Sequence, residues 1–262
     1  MEYKIMLVMF LSFVITLIGT LAYSIRIVGV RTGKIAVSFS LFNILVLIAR
    51  TANTIQVPML TNYVEKNQGS NIINSFYMII MSAGLATIVG AISIPSFQRM
   101  FSRGVNRFSI ERSVPKIILH GFSQTGIKQF KSCIVLPSKN TIKEIKIQKL
   151  PKRIIVFNII AVALLVVGGL APIYAGILEP SLRATSLSLS GIINGMATIL
   201  LFIFIDPFLS IKTDDVIEGK CSESEFRKYV VGMVGAKIAG TFLALPLLIP
   251  SAKIIIMVAK ML

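Results

Sequence analysis

The chain has 262 residues, 55% hydrophobic and only 15% charged, with a mean hydropathy of +0.82, whereas soluble domains run nearer a quarter charged. That balance excludes an ordinary soluble enzyme or binding module and places the chain in the membrane class. The net charge is +16, and its placement along the chain is informative.

Residues 5–25 contain no Asp, Glu, Lys or Arg and are long enough to cross ~30 Å of hydrocarbon as a helix. They exceed a signal-peptide core, and the preceding "MEYK" has no net charge, so a permanent first span is expected. The polar exit "YSIRIVGVR" carries Arg26 and Arg31. A second span is predicted over 35–57, and within it "SFSLFNILVLIARTANTIQVP" (38–58) places Asn43, Arg50, Asn53 and Thr54 on one helical stripe led by Ser40. On a lipid-facing surface the arginine costs ~2.5–3.5 kcal/mol at mid-helix, so this stripe is expected to face inward.

Residues 67–98 are again free of charge and predict a third span. The loop that follows, 98–153, holds 13 Lys/Arg against Glu111 and Glu144, a net +11. The positive-inside rule makes it cytoplasmic. "FQRMFSRGVNRF" spaces Arg99, Arg103 and Arg107 four apart, a cationic amphipathic helix suited to a lipid surface. "KIILHGF", "IKQFKSCIVL" and "IKEIKIQKL" behave similarly. Tethered between spans, such a loop suits anionic lipid headgroups rather than nucleic acid.

Residues 154–178 and 184–205 supply a fourth and a fifth uncharged span. The fifth repeats the polar design, with Arg183, Ser186, Ser190 and Asn194 on one stripe and Glu179 just before it. Asp206, beside Pro207, reads equally as a helix cap, a partner for Lys237, or a substrate or proton site. A sixth span over 229–252 contains Lys237. The stretch 229–261 would be ~50 Å long as one helix, so a kink is expected at Pro246 and Pro250, with the C-terminal stretch near the outer interface. Gly232, Ala236 and Gly240, and likewise Gly191 and Gly195, read as close-packing seams, which leaves a homo-oligomer open.

The predicted fold is therefore all-α: a polytopic membrane protein of about six helices in two topologically inverted three-helix halves. Its divisions are residues 1–97, the basic loop 98–153, and residues 154–262. "SFSLFN" (38–43) faintly echoes "SLSGIIN" (188–194), as an inverted repeat would. On this topology both termini lie outside, and Cys133 and Cys221 fall in cytoplasmic loops as free thiols.

Cations then recur across the bilayer, from Arg26, Arg31 and Lys237 on the inner side to Arg50 and Arg183 on the outer. Such a ladder suits an anionic group in transit. Plainer roles also exist: Arg183 and Lys237 can snorkel, and Asn53 and Asn194 can bond between helices. There is no phosphate-binding glycine loop, zinc-protease helix or nucleophile turn, and His120 is the single histidine. No enzyme and no cofactor is expected.

The runs "GVRTGKIAVSFSLFNILVLIARTANTIQVPML" (29–60) and "LRATSLSLSGIINGMATILLFIFIDP" (182–207) resemble the Amj family of bacterial lipid II flippases. The resemblance extends over most of the chain in order and length. It implies a cytoplasmic-membrane protein that moves undecaprenyl-diphosphate-linked disaccharide-pentapeptide from the inner to the outer leaflet for peptidoglycan synthesis. With that substrate, Arg50 becomes an outer-half diphosphate or peptide-carboxylate contact, and Lys237 with Arg26 or Arg31 an inner receiving group. Two other classes fit the same residues: a secondary transporter of another organic anion using Asp206, and a non-transporting scaffold for envelope synthesis.

Overall fold

A computed structural model describes residues 3–67, 72–111, 113, 116, 123, 128, 132–135 and 151–262, and the elements among them are helical. Six stretches are long and apolar enough to span a membrane: Tyr3–Thr32, Ile35–Lys66, Ile72–Phe108, Lys152–Leu178, Pro180–Ile217 and Glu223–Ala259. They are the six spans expected from hydropathy. Of the expected amphipathic segments of the basic loop, "KIILHGF" with His120, "IKQFKSCIVL" and "IKEIKIQKL" lie largely or wholly outside the described residues.

The first span joins α1 (Tyr3–Leu21) to α2 (Ile25–Thr32) through a 3-10 turn. It stops at Gly33, whose φ of +66° provides the left-handed cap that glycine adopts without strain. The second span is α3 (Ile35–Lys66) and the third α4 (Ile72–Glu111). α4 does not stop near residue 97. Arg99, Arg103 and Arg107 stand on its last turns rather than on a separate surface helix. Nothing after Pro95 breaks the helix, and Arg107 Nε donates to Glu111 one turn on at 2.7 Å, a spacing that supports helix.

The fourth span is α5 (Lys152–Leu178). The fifth is assembled from pieces: a 3-10 turn, α6 (Arg183–Ser188), α7 (Ser190–Leu200), a π-helical turn over Leu201–Ile205, and α8 (Asp206–Ile217). The sixth is α9 (Glu223–Ala259), started by Ser222, whose hydroxyl accepts from the Glu225 N–H. α9 runs as one continuous helix to Ala259, with Pro246 and Pro250 inside it. Both prolines sit on its exposed side, while Ala244, Leu248 and Ala252 on the other side stay buried.

α1, α3 and α4 pack together in the first half, and α5, α7 and α9 in the second. α4 against α9 is the main bridge between halves. Lipid is as apolar as any side chain, so close packing rather than burial from water holds such helices together. A Cβ on Gly240 would come 2.5 Å from the Ile159 carbonyl oxygen, and one on Gly84 2.8 Å from the Phe242 ring. Gly240 is thus a seam, as expected. Gly191 and Gly195 are not seams within the chain: a Cβ on either meets open space. The largest buried cluster, with Ile5, Leu60, Phe76, Ile79 and Leu248, closes one end of the molecule. Smaller clusters, around Ile27 with Phe226 and around Ile25 with Phe97, lie towards the other.

Candidate substrate cavity

Between the halves lies a cavity of about 480 Å³. Its α1–α2 wall is one helical face: Ser12, Thr16, Gly19, Tyr23 and Arg26 line it at spacings of four, three, four and three. α3 runs the other way along it, for Gln56 donates to the Val8 carbonyl at 3.5 Å while the Phe39 ring lies 5.3 Å from the Arg26 guanidinium. Leu60, Ile79, Ile80 and Ile173 roof the closed end. The fifth span contributes Leu201, Ile205, Asp206 and Leu209, and α9 contributes Lys237 and Thr241.

The charged end is built around two cations. Arg26 spreads over Phe39, donates to the Ser210 hydroxyl at 2.9 Å and reaches Asp206 at 3.5 Å. Its side chain is 14% exposed and that of Asp206 48%, so the pair is loose and open on the acid's side. Asp206 therefore partners Arg26, not Lys237. The Lys237 ammonium lies 5.7 Å from the Tyr23 ring centre, and among the described residues no carboxylate stands within ion-pair distance of it. Tyr23 is held in place by donating to Asn158 at 2.9 Å, and Asn158 in turn donates to the Met233 carbonyl. Gly19 makes room for the ammonium, since a Cβ there would lie 3.0 Å from it.

Of the residues singled out in the sequence, the cavity gathers Arg26, Asn53, Asp206 and Lys237. The rest lie elsewhere. Asn43, Arg50 and Thr54 are exposed and outside its lining, and the Thr54 hydroxyl donates back to the Arg50 carbonyl. Arg50 shares a helical side with Phe39 and Val57, eleven residues before and seven after it, but projects from the open flank of α3. Arg31 donates to Glu223 at 2.6 Å and to Gln98 at 3.3 Å, tying α2 to α9 and α4.

The fifth-span stripe faces α5 rather than the cavity. Arg183 packs on Gly176 and pairs with Glu65 at 3.7 Å, and Asn194 packs on Gly168. The two glycines leave the space that these polar side chains occupy. Ser190 sits half-buried where α6 gives way to α7. Glu179 pairs with Lys260 at 3.1 Å, and bonds from Lys260 and Ser181 hold its carboxyl below the usual carboxylate range. Cys133 and Cys221 are free.

Ser12, Thr16, Tyr23, Gln56 and Thr241 were missed. The spacing of the α1–α2 face was readable once Arg26 was taken as its anchor, and Gln56 is one turn from Asn53. The Tyr23–Asn158 bond spans 135 positions and leaves no local signature.

Residues 11–259 match the family described as "Amj: Alternate to MurJ". A curated relative, the "Lipid II flippase Amj" of Bacillus subtilis (strain 168), is 38% identical over 248 residues, covering 93% of this chain and 92% of its own. No solved structure matches.

Proposed function

The chain belongs to the Amj family, and from that premise we propose that it moves lipid II between the leaflets of the cell membrane. The observation that carries the reading is the cavity's pair of cations, Arg26 and Lys237, set against the single carboxylate of Asp206. An anion entering there meets a net positive site in a low-dielectric setting, where charge–charge attraction is strong. Arg26 offers a planar fork that suits diphosphate oxygens. Its loose hold on Asp206 lets it exchange one oxygen anion for another. Lys237 needs no such exchange.

The rest of the wall is mostly apolar, and on its α3 side the helix has an open flank of exposed residues. A polyprenyl tail would remain in the bilayer through that flank while the headgroup crosses inside. In this reading the transporter does no covalent chemistry. The charged end faces the cytoplasm, as does the basic segment 98–153 between the membrane halves 1–97 and 154–262. Both termini lie outside. Arg99, Arg103 and Arg107, on the last turns of α4, gather anionic lipid at the inner surface. Arg50, Arg183, Glu179, Asn43, Thr54, Ser190 and Asn194 act in packing or at the rim rather than on the diphosphate.

The test is translocation of headgroup-labelled lipid II in proteoliposomes, read with a membrane-impermeant quencher. Wild type should move the lipid. Lys237→Gln removes a charge-assisted contact of about 1.5–3 kcal/mol and should slow it about ten- to a hundredfold. Absence of protein-dependent movement by wild type, under an imposed potential or pH gradient as well, would sink the proposal.

A further inference from the structure

The cavity's charge is confined to one part of its length, and beyond it the chemistry changes. Ser12 and Thr16 on α1, with Asn53 and Gln56 on α3, line the stretch towards the closed end. They begin one helical turn past Gly19, against which the Lys237 ammonium rests, and lie about 15–20 Å along the first span from Arg26. Arg26, Asp206 and Lys237 are the charged residues in the lining, and all three belong to the other part.

These four side chains also differ from other polar groups in the spans. Hydroxyls within apolar helices commonly bond back to a carbonyl one turn earlier, and Thr20, Ser38, Thr51, Thr54, Thr87 and Thr241 do so here. Among the described residues, the side chains of Ser12, Thr16 and Asn53 make no hydrogen bond within the chain. Gln56 makes one long bond, to Val8 at 3.5 Å. Ser12 is 9% exposed and Gln56 8%. These two buried polar groups are costly unless something pairs with them, while Thr16 is half-buried and Asn53 exposed at the cavity's α3 side. Their donors and acceptors suit hydroxyls and amides, not charge.

We propose that Ser12, Thr16, Asn53 and Gln56 form a subsite for the N-acetylated sugar adjoining the diphosphate. The protein then selects its cargo by that sugar as well as by the anion. The inference rests on the lipid II reading above and adds where selectivity lies. Size agrees: about 480 Å³ falls in the lower part of the range for small-molecule sites, roughly 300–1,000 Å³. A diphosphate with one sugar suits such a site better than two sugars and a pentapeptide do. The outer sugar and the peptide therefore contribute little to recognition.

The test is competition against labelled lipid II translocation in proteoliposomes, using two unlabelled competitors. One is polyprenyl diphosphate, and the other is the same lipid carrying one N-acetylated sugar. For wild type the sugar-bearing competitor should act at about tenfold lower concentration. In the double variant Asn53→Leu, Gln56→Leu, which keeps volume and removes the amides, that ratio should fall to about one. Ser12→Ala with Thr16→Val provides an independent pair should the first fold poorly, and should lower the ratio in the same direction. Lys237→Gln should instead weaken both competitors alike. Equal potency of the two competitors on wild type overturns the sugar subsite while leaving lipid II transport standing, as does an unchanged ratio in either folded pair. Failure of wild type to move lipid II overturns the transport reading itself, and the subsite with it.

Discussion

At the scale of single residues, what matters is which intramembrane cation meets the cavity. Lys237 does so because three neighbours permit it: Gly19 leaves space, Tyr23 presents its ring, and Asn158 fixes that ring. Gly19→Ala therefore offers a selective perturbation. The added methyl meets the movable end of the lysine, not backbone, so the fold should survive while the ammonium is displaced. Expected are an unchanged thermal midpoint in detergent and a several-fold slower lipid II translocation; a wild-type rate would remove Lys237's position from the account. Arg50 and Lys237 looked alike in sequence, each a lone cation in an apolar run. Hydropathy marks depth in the bilayer, but whether a side chain reaches an enclosed space depends on how the six spans pack around it, which no local pattern encodes. Asp206 shows the same limit. Its place on the fifth span was readable, but its partner on the first span was not.

At the scale of elements, close approach between helices makes sharper predictions than charge does. Gly240→Ala gains up to about 1 kcal/mol of helix propensity, but its methyl would sit 2.5 Å from the Ile159 carbonyl oxygen and 3.0 Å from Val162. Overpacking of that kind costs about 1–3 kcal/mol, so the variant should unfold at lower temperature. Gly191→Ala meets nothing within 4 Å and should be neutral or slightly stabilising. The pair of melting curves checks both, and equal midpoints would contradict the packing described. The six spans were legible because each is a long apolar run. The end of α4 was less so: a basic amphipathic tail reads as a separate helix. Nor does the sequence reveal that Pro246 and Pro250 stand on the unpacked side of α9. The π-helical turn before Asp206 had no sequence signal beyond Pro207.

At the scale of the whole molecule, the two ends differ. One is closed by the large apolar cluster, with Arg183–Glu65 and Glu179–Lys260 tying its rim. These pairs are partly exposed and screened by solvent, so each contributes little to stability. Because the Glu179 carboxyl is held below the usual carboxylate range, its tie persists at neutral pH and is lost only as pH falls through that lowered value. Thermal midpoints at pH 7 and pH 5.5 should accordingly show no loss from this pair, and Glu179→Gln should leave any difference between them unchanged. The other end holds the cations and the smaller clusters. The polarity between ends was foreshadowed by charge placement, while the cavity itself, assembled from all six spans, was not legible in any one of them.

The central claim is that the lipid II headgroup occupies the space between the halves. It is tested most directly by substrate protection of single cysteines, with Cys133 and Cys221 replaced by serine. Ile15→Cys lies on the cavity wall, and Arg50→Cys on the open flank of α3. Lipid II should slow thiol modification several-fold at position 15 and leave position 50 unchanged. Protection at position 50 with none at position 15 would contradict the account and return the headgroup to the polar stripe of the second span.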